Sequence, residues 1–298
     1  LGFGGRAPGY VAATEEWNTG VAVGAWVTGG ALNVPRSEHA GSGTQTAALS
    51  FGGRNPVEGQ TETYNGTAWT SVNNMNNARA QLMGSGTQTS TLASGGEPAL
   101  TVTETWNGTN WTEVSDLNTG KYASGAAGVS NTSSLVFGGR TPPYTTTTES
   151  WDGSSWTEVN DMNTARGYLG GTGTKTAALA FGGRAPDGSA ISPAVTELWN
   201  GTNWTEVNDM NTVRRTLAGA GVTTSALAFG GTNGSKTGAT EAWNGSSWTT
   251  VGTMNIARNL FGGGAGANNT SALAFGGPPA TTATEEWTDP GIITKTLT

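Results

Sequence analysis

A pair of adjacent glycines recurs seven times along the chain, and this repeat constrains the fold more than any other feature. The pairs lie at 4–5, 52–53, 95–96, 138–139, 182–183, 230–231 and 276–277, so successive pairs are 43 to 48 residues apart. Phenylalanine precedes the pair in six copies, and Ser94 replaces it in the third. A chain with such a period is built of one supersecondary unit whose copies pack against their neighbours.

Each copy contains four short segments that are typical of β-strands. The copy that starts at Met162 continues with a glycine-rich segment at 167–174 and an apolar segment at 176–183, which ends in the glycine pair. After a loop, Thr-Glu-x-Trp at 196–199 and "NWTEV" at 203–207 complete the unit. Because turn residues separate these segments, we predict four antiparallel strands per copy.

An Asn-Gly or Asp-Gly pair separates the last two segments in five copies, at 65–66, 107–108, 152–153, 200–201 and 244–245. Such pairs suit type I′ turns, in which both central residues have positive φ. A two-residue loop would place Trp106 opposite Thr109, whereas a four-residue loop would place Trp106 opposite Trp111. Both registers put the two indole rings on one face. The paired aromatic residues are therefore predicted to be packing elements.

One of these turns is similar to the Asp-box of sialidases, which runs Ser/Thr-x-Asp-x-Gly-x-x-Trp. Ser150, Asp152, Gly153 and Trp156 match most of that pattern, but the residue between the Asp and the Gly is missing. Asparagine stands in the place of Asp152 in the other four copies. We therefore interpret the stretch as a hairpin turn and not as the mark of a glycosidase.

The units resemble kelch repeats, in which a double glycine ends the second strand and is followed by an aromatic residue and then a tryptophan. Gly138-Gly139, Trp151 and Trp156 match, and the resemblance covers nearly the whole chain. It implies an all-β fold, a kelch-like β-propeller of four-stranded antiparallel blades around a central channel. The Thr-, Asn- and Gly-rich composition also resembles repeat proteins of phage particles and bacterial surfaces.

Counting strands predicts seven blades in a single β-propeller domain over residues 1–298. Six full units start at Arg36, Arg79, Lys121, Arg166, Arg214 and Arg258. Residues 1–27 carry the second, third and fourth strands of a further unit, and 292–298 can form the fourth strand of the last one. Six blades are the alternative, which leaves the first residues without a place. Since the sequence begins at Leu1 and not at methionine, we expect it to be part of a longer chain.

Charge and composition exclude several classes of function. The net charge of −7 argues against nucleic acid as a partner, because phosphate binding needs clustered Lys and Arg. The absence of cysteine excludes thiol catalysis and Cys-ligated metals. No apolar run is long enough for membrane insertion. With His39 as the one histidine, interpreted as an ordinary loop residue, we predict no cofactor and no metal.

One glutamate recurs in every copy, at 15, 62, 104, 149, 197, 241 and 285. A basic residue recurs in six copies, at the unit starts given above. An active site is normally one constellation, and seven equal carboxylates do not form one. A buried charge needs a partner, so we expect a structural hydrogen bond or ion pair within each blade.

The loop after the glycine pair differs in every copy, and a propeller brings all these loops to one face around the channel mouth. Loops on a rigid scaffold often carry binding specificity, and drift in unconstrained loops is the alternative. The candidate ligand-binding residues on this face are Arg6, Tyr10, Arg54, Glu58, Arg140, Tyr144, Arg184 and Asp187.

These features predict a non-enzymatic binding or structural module on a virion, as a tail fibre or decoration, or on a bacterial surface. The expected partner is a surface glycan, a host protein or a neighbouring virion protein. A glycan-cleaving, sialidase-like enzyme is the first alternative, and it requires carboxylates with an arginine and a tyrosine at the channel mouth. An intracellular kelch adaptor is the weakest alternative, because it predicts an attached oligomerisation domain.

Overall fold

The structure is a computed structural model, which describes residues 24–54, 58–186, 194–259 and 264–289, together with the backbone of 6–7 and 9–10. All regular elements in these ranges are β-strands. Two short strands, Arg6–Ala7 and Gly9–Tyr10, pair with each other. The other strands form six antiparallel sheets of four strands each. No helix in the described part of the chain could cross a membrane.

The six sheets are the blades of a propeller, and the strands of each blade are named A to D from the channel outwards. Each blade has the order A-B-C-D, and the A strands of adjacent blades contact one another around the ring. The strands are, from blade one to blade six, Ala40–Thr44, Ala47–Phe51, Thr61–Tyr64 and Trp69–Val72; Met83–Thr87, Ser90–Ser94, Thr103–Trp106 and Trp111–Val114; Gly125–Ser130, Ser133–Phe137, Thr148–Trp151 and Trp156–Val159; Gly170–Thr174, Ala177–Phe181, Thr196–Trp199 and Trp204–Val207; Ala218–Val222, Ser225–Phe229, Thr240–Trp243 and Trp248–Val251; Gly264–Asn268, Ser271–Phe275, Thr284–Thr288 and Ala25–Thr28.

The prediction of seven blades was wrong, and the D strand of blade six shows why. This strand is Ala25–Thr28, which pairs with Thr284–Thr288 so that Trp26 lies opposite Trp287. The last residues of the N-terminal segment that we assigned to a separate blade therefore belong to the strand that closes the ring of six. Residues 292–298, predicted as the fourth strand of the last unit, lie outside the described residues.

The glycines of the A strands allow neighbouring blades to approach closely. A Cβ atom on Gly171 would lie 2.8 Å from the ring of Phe137 in the preceding blade and 2.9 Å from the backbone nitrogen of Ala126. On Gly219 it would lie 2.6 Å from the Phe181 ring. A larger residue would separate the blades at these positions, which explains the glycine-rich sequence of the innermost strands.

The four-residue register is the one the structure adopts at the C–D hairpins. Trp106 lies opposite Trp111, and Gly108 has a φ of +92°. The Oδ1 atom of Asn107 accepts hydrogen bonds from the backbone nitrogens of Thr109 and Asn110 at 2.9 and 2.8 Å. The type I′ prediction was therefore wrong, because an Asx turn fixes the loop and only the glycine has positive φ.

In blades two to six, the tryptophan on strand C makes a hydrogen bond within its own blade. The Nε1 atom of Trp106 donates to the carbonyl oxygen of Gln88, in the A–B turn of the same blade, at 3.0 Å. Trp151, Trp199, Trp243 and Trp287 make the same bond in their blades. The indole ring thus spans from strand C to the turn between A and B.

The tryptophan on strand D makes a hydrogen bond to the preceding blade. The Nε1 atom of Trp111 donates to the Thr61 hydroxyl of blade one at 3.0 Å, and its ring lies 5.0 Å from that of Phe51. The equivalent pairs are Trp156–Thr103, Trp204–Thr148, Trp248–Thr196, Trp26–Thr240 and Trp69–Thr284. All six blade interfaces therefore carry one Trp–Thr hydrogen bond, including the two beside blade six.

Each of the six blades contains one buried ion pair between a recurrent glutamate and a recurrent basic residue. The seventh glutamate, Glu15, lies outside the described residues. In blade five, an Nη2 atom of Arg214 lies 3.0 Å from Glu241 Oε1, and both side chains are 0% exposed. The other oxygen of Glu241 accepts from the backbone nitrogen of Asn211 at 2.7 Å. Burial lowers the pKa of Arg214 to about 10, and the Glu241 charge opposes that shift. The pairs join the strand C glutamate to the segment before strand A, so they are structural.

Candidate functional site

The variable loops begin at one end of the channel. The residue after the glycine pair forms a backbone bridge with the residue after the buried Arg or Lys of the same blade. The bridges are Ser37–Arg54, Tyr122–Arg140, Gly167–Arg184 and Arg215–Thr232. Since these segments flank strands A and B, the first residues of the loops lie at the rim of the channel. We call this end the loop mouth.

Five residues with positive φ stand at the loop mouth, one from each of blades one to five. They are Glu38, Gln81, Ala123, Tyr168 and Thr216, with φ between 52° and 58°. In blades two to five, each comes directly before a residue that lines the channel cavity, namely Leu82, Ser124, Leu169 or Leu217. The equivalent residue of blade six, 260, lies outside the described residues. We call the five residues the left-handed arc.

Backbone hydrogen bonds join the members of the left-handed arc from blade to blade. The nitrogen of Gln81 donates to the oxygen of Glu38 at 2.8 Å, and that of Ala123 donates to Gln81 at 3.1 Å. Tyr168 donates to Ala123 at 2.7 Å, and Thr216 donates to Tyr168 at 2.8 Å. The left-handed conformation costs a residue with a Cβ about 1–2 kcal/mol, so these bonds help to explain why it is kept.

An aromatic cluster lies on one side of the loop mouth. The guanidinium of Arg140 is 5.2 Å from the centre of the Tyr144 ring and 5.4 Å from that of Tyr122. The same group donates to the Tyr168 hydroxyl at 3.4 Å, and Tyr144 and Tyr168 meet edge to face at 6.4 Å. The hydrogen bond to Tyr168 raises the pKa of Arg140. Three of the five tyrosines of the chain therefore surround one arginine.

An acidic cluster lies on blades one and two, and its Glu38 stands three arc positions from Tyr168. The Nε atom of Arg54 is 3.0 Å from Glu38 Oε2, and its guanidinium also pairs with Glu97 of blade two. The amide of Gln81 donates to the same Glu38 oxygen at 2.8 Å. The ion-paired side chains are partly exposed, with 44% of Arg54 and 26% of Glu38 open to solvent, whereas Gln81 is buried. The loop mouth thus has one aromatic side and one side of carboxylates and an amide.

The predicted site residues divide between these clusters and the remaining loops. Arg140 and Tyr144 lie in the aromatic cluster, and Arg54 lies in the acidic one. The backbone nitrogen of Glu58 donates to the Gly53 oxygen at 3.0 Å, and burial raises the pKa of this carboxyl. The backbone of Arg184 forms a bridge with that of Gly167. Arg6 and Tyr10 have only a described backbone, and Asp187 lies outside the described residues.

The channel itself has small residues along its wall. It encloses a cavity of about 150 Å³, whose polar side chains are Ser42, Ser85, Ser124 and Thr172. Pockets for small organic ligands are usually on the order of 300–1,000 Å³. Any ligand larger than a few waters is therefore expected at the mouth and not inside the channel. No group of three or more metal-ligating side chains occurs in the described ranges.

No known protein family and no curated protein matches the sequence. Function is therefore inferred from the fold and the loop mouth.

Two residues that attracted attention in the sequence have structural roles. Asp152 caps its turn, and hydrogen bonds from the backbone of Ser155 and Ser154 lower its pKa to about 2. His39 precedes strand A of blade one, as expected of a loop residue, but it is only 1% exposed. Its ring lies 5.5 Å from that of Phe275 in blade six.

The left-handed arc was not predicted from the sequence. Its members stand two residues after the buried Arg or Lys, and an alignment of the copies at that residue shows Glu, Gln, Ala, Tyr and Thr in succession. Such variety beside an otherwise repeated segment indicates a position that the repeated fold does not constrain and that can serve binding. The positive φ is not visible in the sequence, because none of these residues favours that conformation.

Proposed function

We propose that this chain is a non-enzymatic binding module, which holds a surface glycan or a protein at the loop mouth. A β-propeller fold is consistent with a binding module. The observation that carries the proposal is the aromatic cluster around Arg140, because tyrosine and arginine supply most of the binding energy at many interfaces. The rest of each blade repeats the same structural contacts, whereas the residues at the mouth differ between blades.

We further propose that the module is of the kelch type and lies on the outside of a virus particle or a bacterial cell. Only 12% of the residues are charged, and the recurrent ion pairs are buried. At 0.1 M salt, interactions between exposed charges more than about 10 Å apart are largely screened, whereas buried pairs are screened much less. The stability of such a protein therefore depends little on the ionic strength around it. This property supports a role in attachment outside the cell.

A double variant, Arg140→Ala with Tyr144→Ala, tests the proposal. It removes the centre of the aromatic cluster, so binding to an array of surface glycans or to whole bacterial cells should fall by at least about tenfold. Thr157→Ala with Glu158→Ala is the matched control, since both residues are exposed on strand D of the same blade. Equal binding by the double variant and the wild type would contradict the proposal.

Glycan cleavage is the second candidate, because Glu38, Glu97 and Arg54 meet at the loop mouth. A glycosidase needs one protonated carboxyl as its acid, whereas a shared ion pair uses the charged form of both groups. Release of the fluorophore from fluorogenic glycosides, abolished in Glu38→Gln, would favour the enzyme. We expect no release by the wild type.

A further inference from the structure

We infer that the loop mouth is a recognition site for a neutral sugar, whose ring enters between the side chains of Tyr168 and Glu38, two partly exposed members of the left-handed arc. This deepens the proposed function and rests on it. The inference starts from the arc because non-glycine residues in this conformation are uncommon, and they concentrate where function maintains them. Here five of them stand in hydrogen-bonded succession at the mouth of the channel.

The size of the mouth limits what can enter it. Adjacent members of the arc are bonded as neighbouring strands are, with a spacing of about 5 Å. Six A strands at about this spacing around the ring enclose an opening roughly 10 Å across between backbones. An α-helix with its side chains is about 10–12 Å wide and does not fit. A single sugar ring at the end of a glycan does fit.

The chemistry on the two sides of the mouth suits the two kinds of surface that a sugar ring has. One face of a pyranose presents C–H groups, which pack against an aromatic ring such as Tyr168 or Tyr144. Its hydroxyl groups donate hydrogen bonds to carboxylate oxygens, which Glu38 supplies across the arc from Tyr168. Both Glu38 and Tyr168 are partly exposed, so a ligand can reach them.

The charges beside the arc favour a neutral sugar over an acidic one. The guanidinium of Arg54 already pairs with Glu38 and Glu97, and that of Arg140 lies against Tyr122 and Tyr144. An anionic sugar would have to displace one of these partners and would also approach two carboxylates. A neutral sugar requires neither change.

Tyr168→Gly separates binding from folding. Glycine adopts a φ of +58° without steric cost, and this relief offsets part of the stability lost with the contacts to Arg140 and Tyr144. The variant should therefore still fold, which its melting curve will show. The loss of the ring should weaken binding by at least about tenfold. The probes are the methyl glycosides of glucose, galactose, mannose and N-acetylglucosamine, measured by saturation-transfer NMR. Glucuronic acid methyl glycoside is the acidic comparison.

Ala123→Gly is the matched control. It relieves the same backbone conformation, with a φ of +56°, but Ala123 is 0% exposed and cannot touch a ligand. We expect it to bind the glycosides as the wild type does. Unchanged binding by Tyr168→Gly, or binding of the acidic glycoside alone, would overturn the inference. If the wild type binds cells through Arg140 and Tyr144 but binds no glycoside, the sugar class fails and the proposed function stands; if it binds neither, both fail.

Discussion

At the scale of single residues, His39 holds a position that is apolar in three other blades. Leu82, Leu169 and Leu217 are its equivalents, and each is at least 94% buried, with 2–6% of its surface exposed. His39 packs between blades one and six, and burial, aided by the charges of Arg36 and Arg258, lowers its pKa from 6.5 to about 3. The folded protein therefore keeps this histidine neutral at the interface where the ring closes.

The buried histidine makes stability depend on pH. Its pKa is lower in the folded state than in the unfolded state, so below pH 6.5 the unfolded chain binds the proton first and stability falls with pH. Between pH 7 and pH 5 this loss should be about 2 kcal/mol. His39→Leu should remove it, which chemical denaturation at the two pH values will show. If the variant loses stability on acidification as the wild type does, His39 is not the source.

The left-handed arc marks the limit of what single residues reveal in the sequence. The glycine pairs could be located because glycine itself favours positive φ, as at Gly138 with +62°. Tyr168 has no such preference, and neighbouring blades impose its conformation through hydrogen bonds. The residue types at the mouth could be read from the loops, but their grouping around Arg140 depends on contacts between blades three and four.

At the scale of the strand pair, blade two has a large residue on strand A that faces a small one on strand B, which is the reverse of the arrangement in blade three. In blade three Gly125 of strand A lies opposite Phe137 of strand B, and a Cβ on that glycine would lie 2.3 Å from the phenylalanine ring. In blade two Met83 lies opposite Ser94. Met83 packs in one cluster with Trp156 of blade three, where other interfaces use phenylalanine. The methionine thus fills the space of the missing ring.

This exchange predicts a strong coupling between the two positions. Ser94→Phe alone should destabilise the protein by about 1–3 kcal/mol, because it overpacks against Met83. Met83→Gly alone should cost about 2–5 kcal/mol, because it leaves a cavity. The double variant restores the pair of blade three and should be closer to the wild type than either single variant. A double-mutant cycle of unfolding free energies measures the coupling.

The outcome that would contradict this explanation is additivity. If the two single costs simply sum in the double variant, Met83 and Ser94 do not share one space. Ala180→Gly in blade four offers a comparison that removes a buried methyl group without a facing exchange.

At the scale of the whole molecule, the repeat predicted the propeller but not the number of blades. The four-strand unit, the paired rings and the buried ion pairs all follow from spacing within one copy. The blade count depends on which partner Ala25–Thr28 selects. The sequence shows Thr-Glu-Glu-Trp at both 14–17 and 284–287, so the pattern alone offers strand D two equivalent partners. The structure pairs it with the second.

Closure by a strand from the other end of the chain predicts that the ring opens first at blade six. Trp26 packs 5.0 Å from Phe229 and bonds to Thr240 at 3.0 Å, and Trp204 packs 4.8 Å from Phe137 and bonds to Thr148 at 3.1 Å. Each Trp→Ala variant should lower the free energy of unfolding by about 3–5 kcal/mol.

The two strands differ in how the chain connects them. Strand D of blade four follows its own strand C through a short hairpin, whereas Trp26 is joined to blade six only by non-covalent contacts. Hydrogen exchange should therefore show faster exchange throughout Gly264–Thr288 in Trp26→Ala, while Trp204→Ala should speed exchange only locally or in the whole ring together. Equal protection of blade six in the two variants would mean that the ring does not depend on this strand to stay closed.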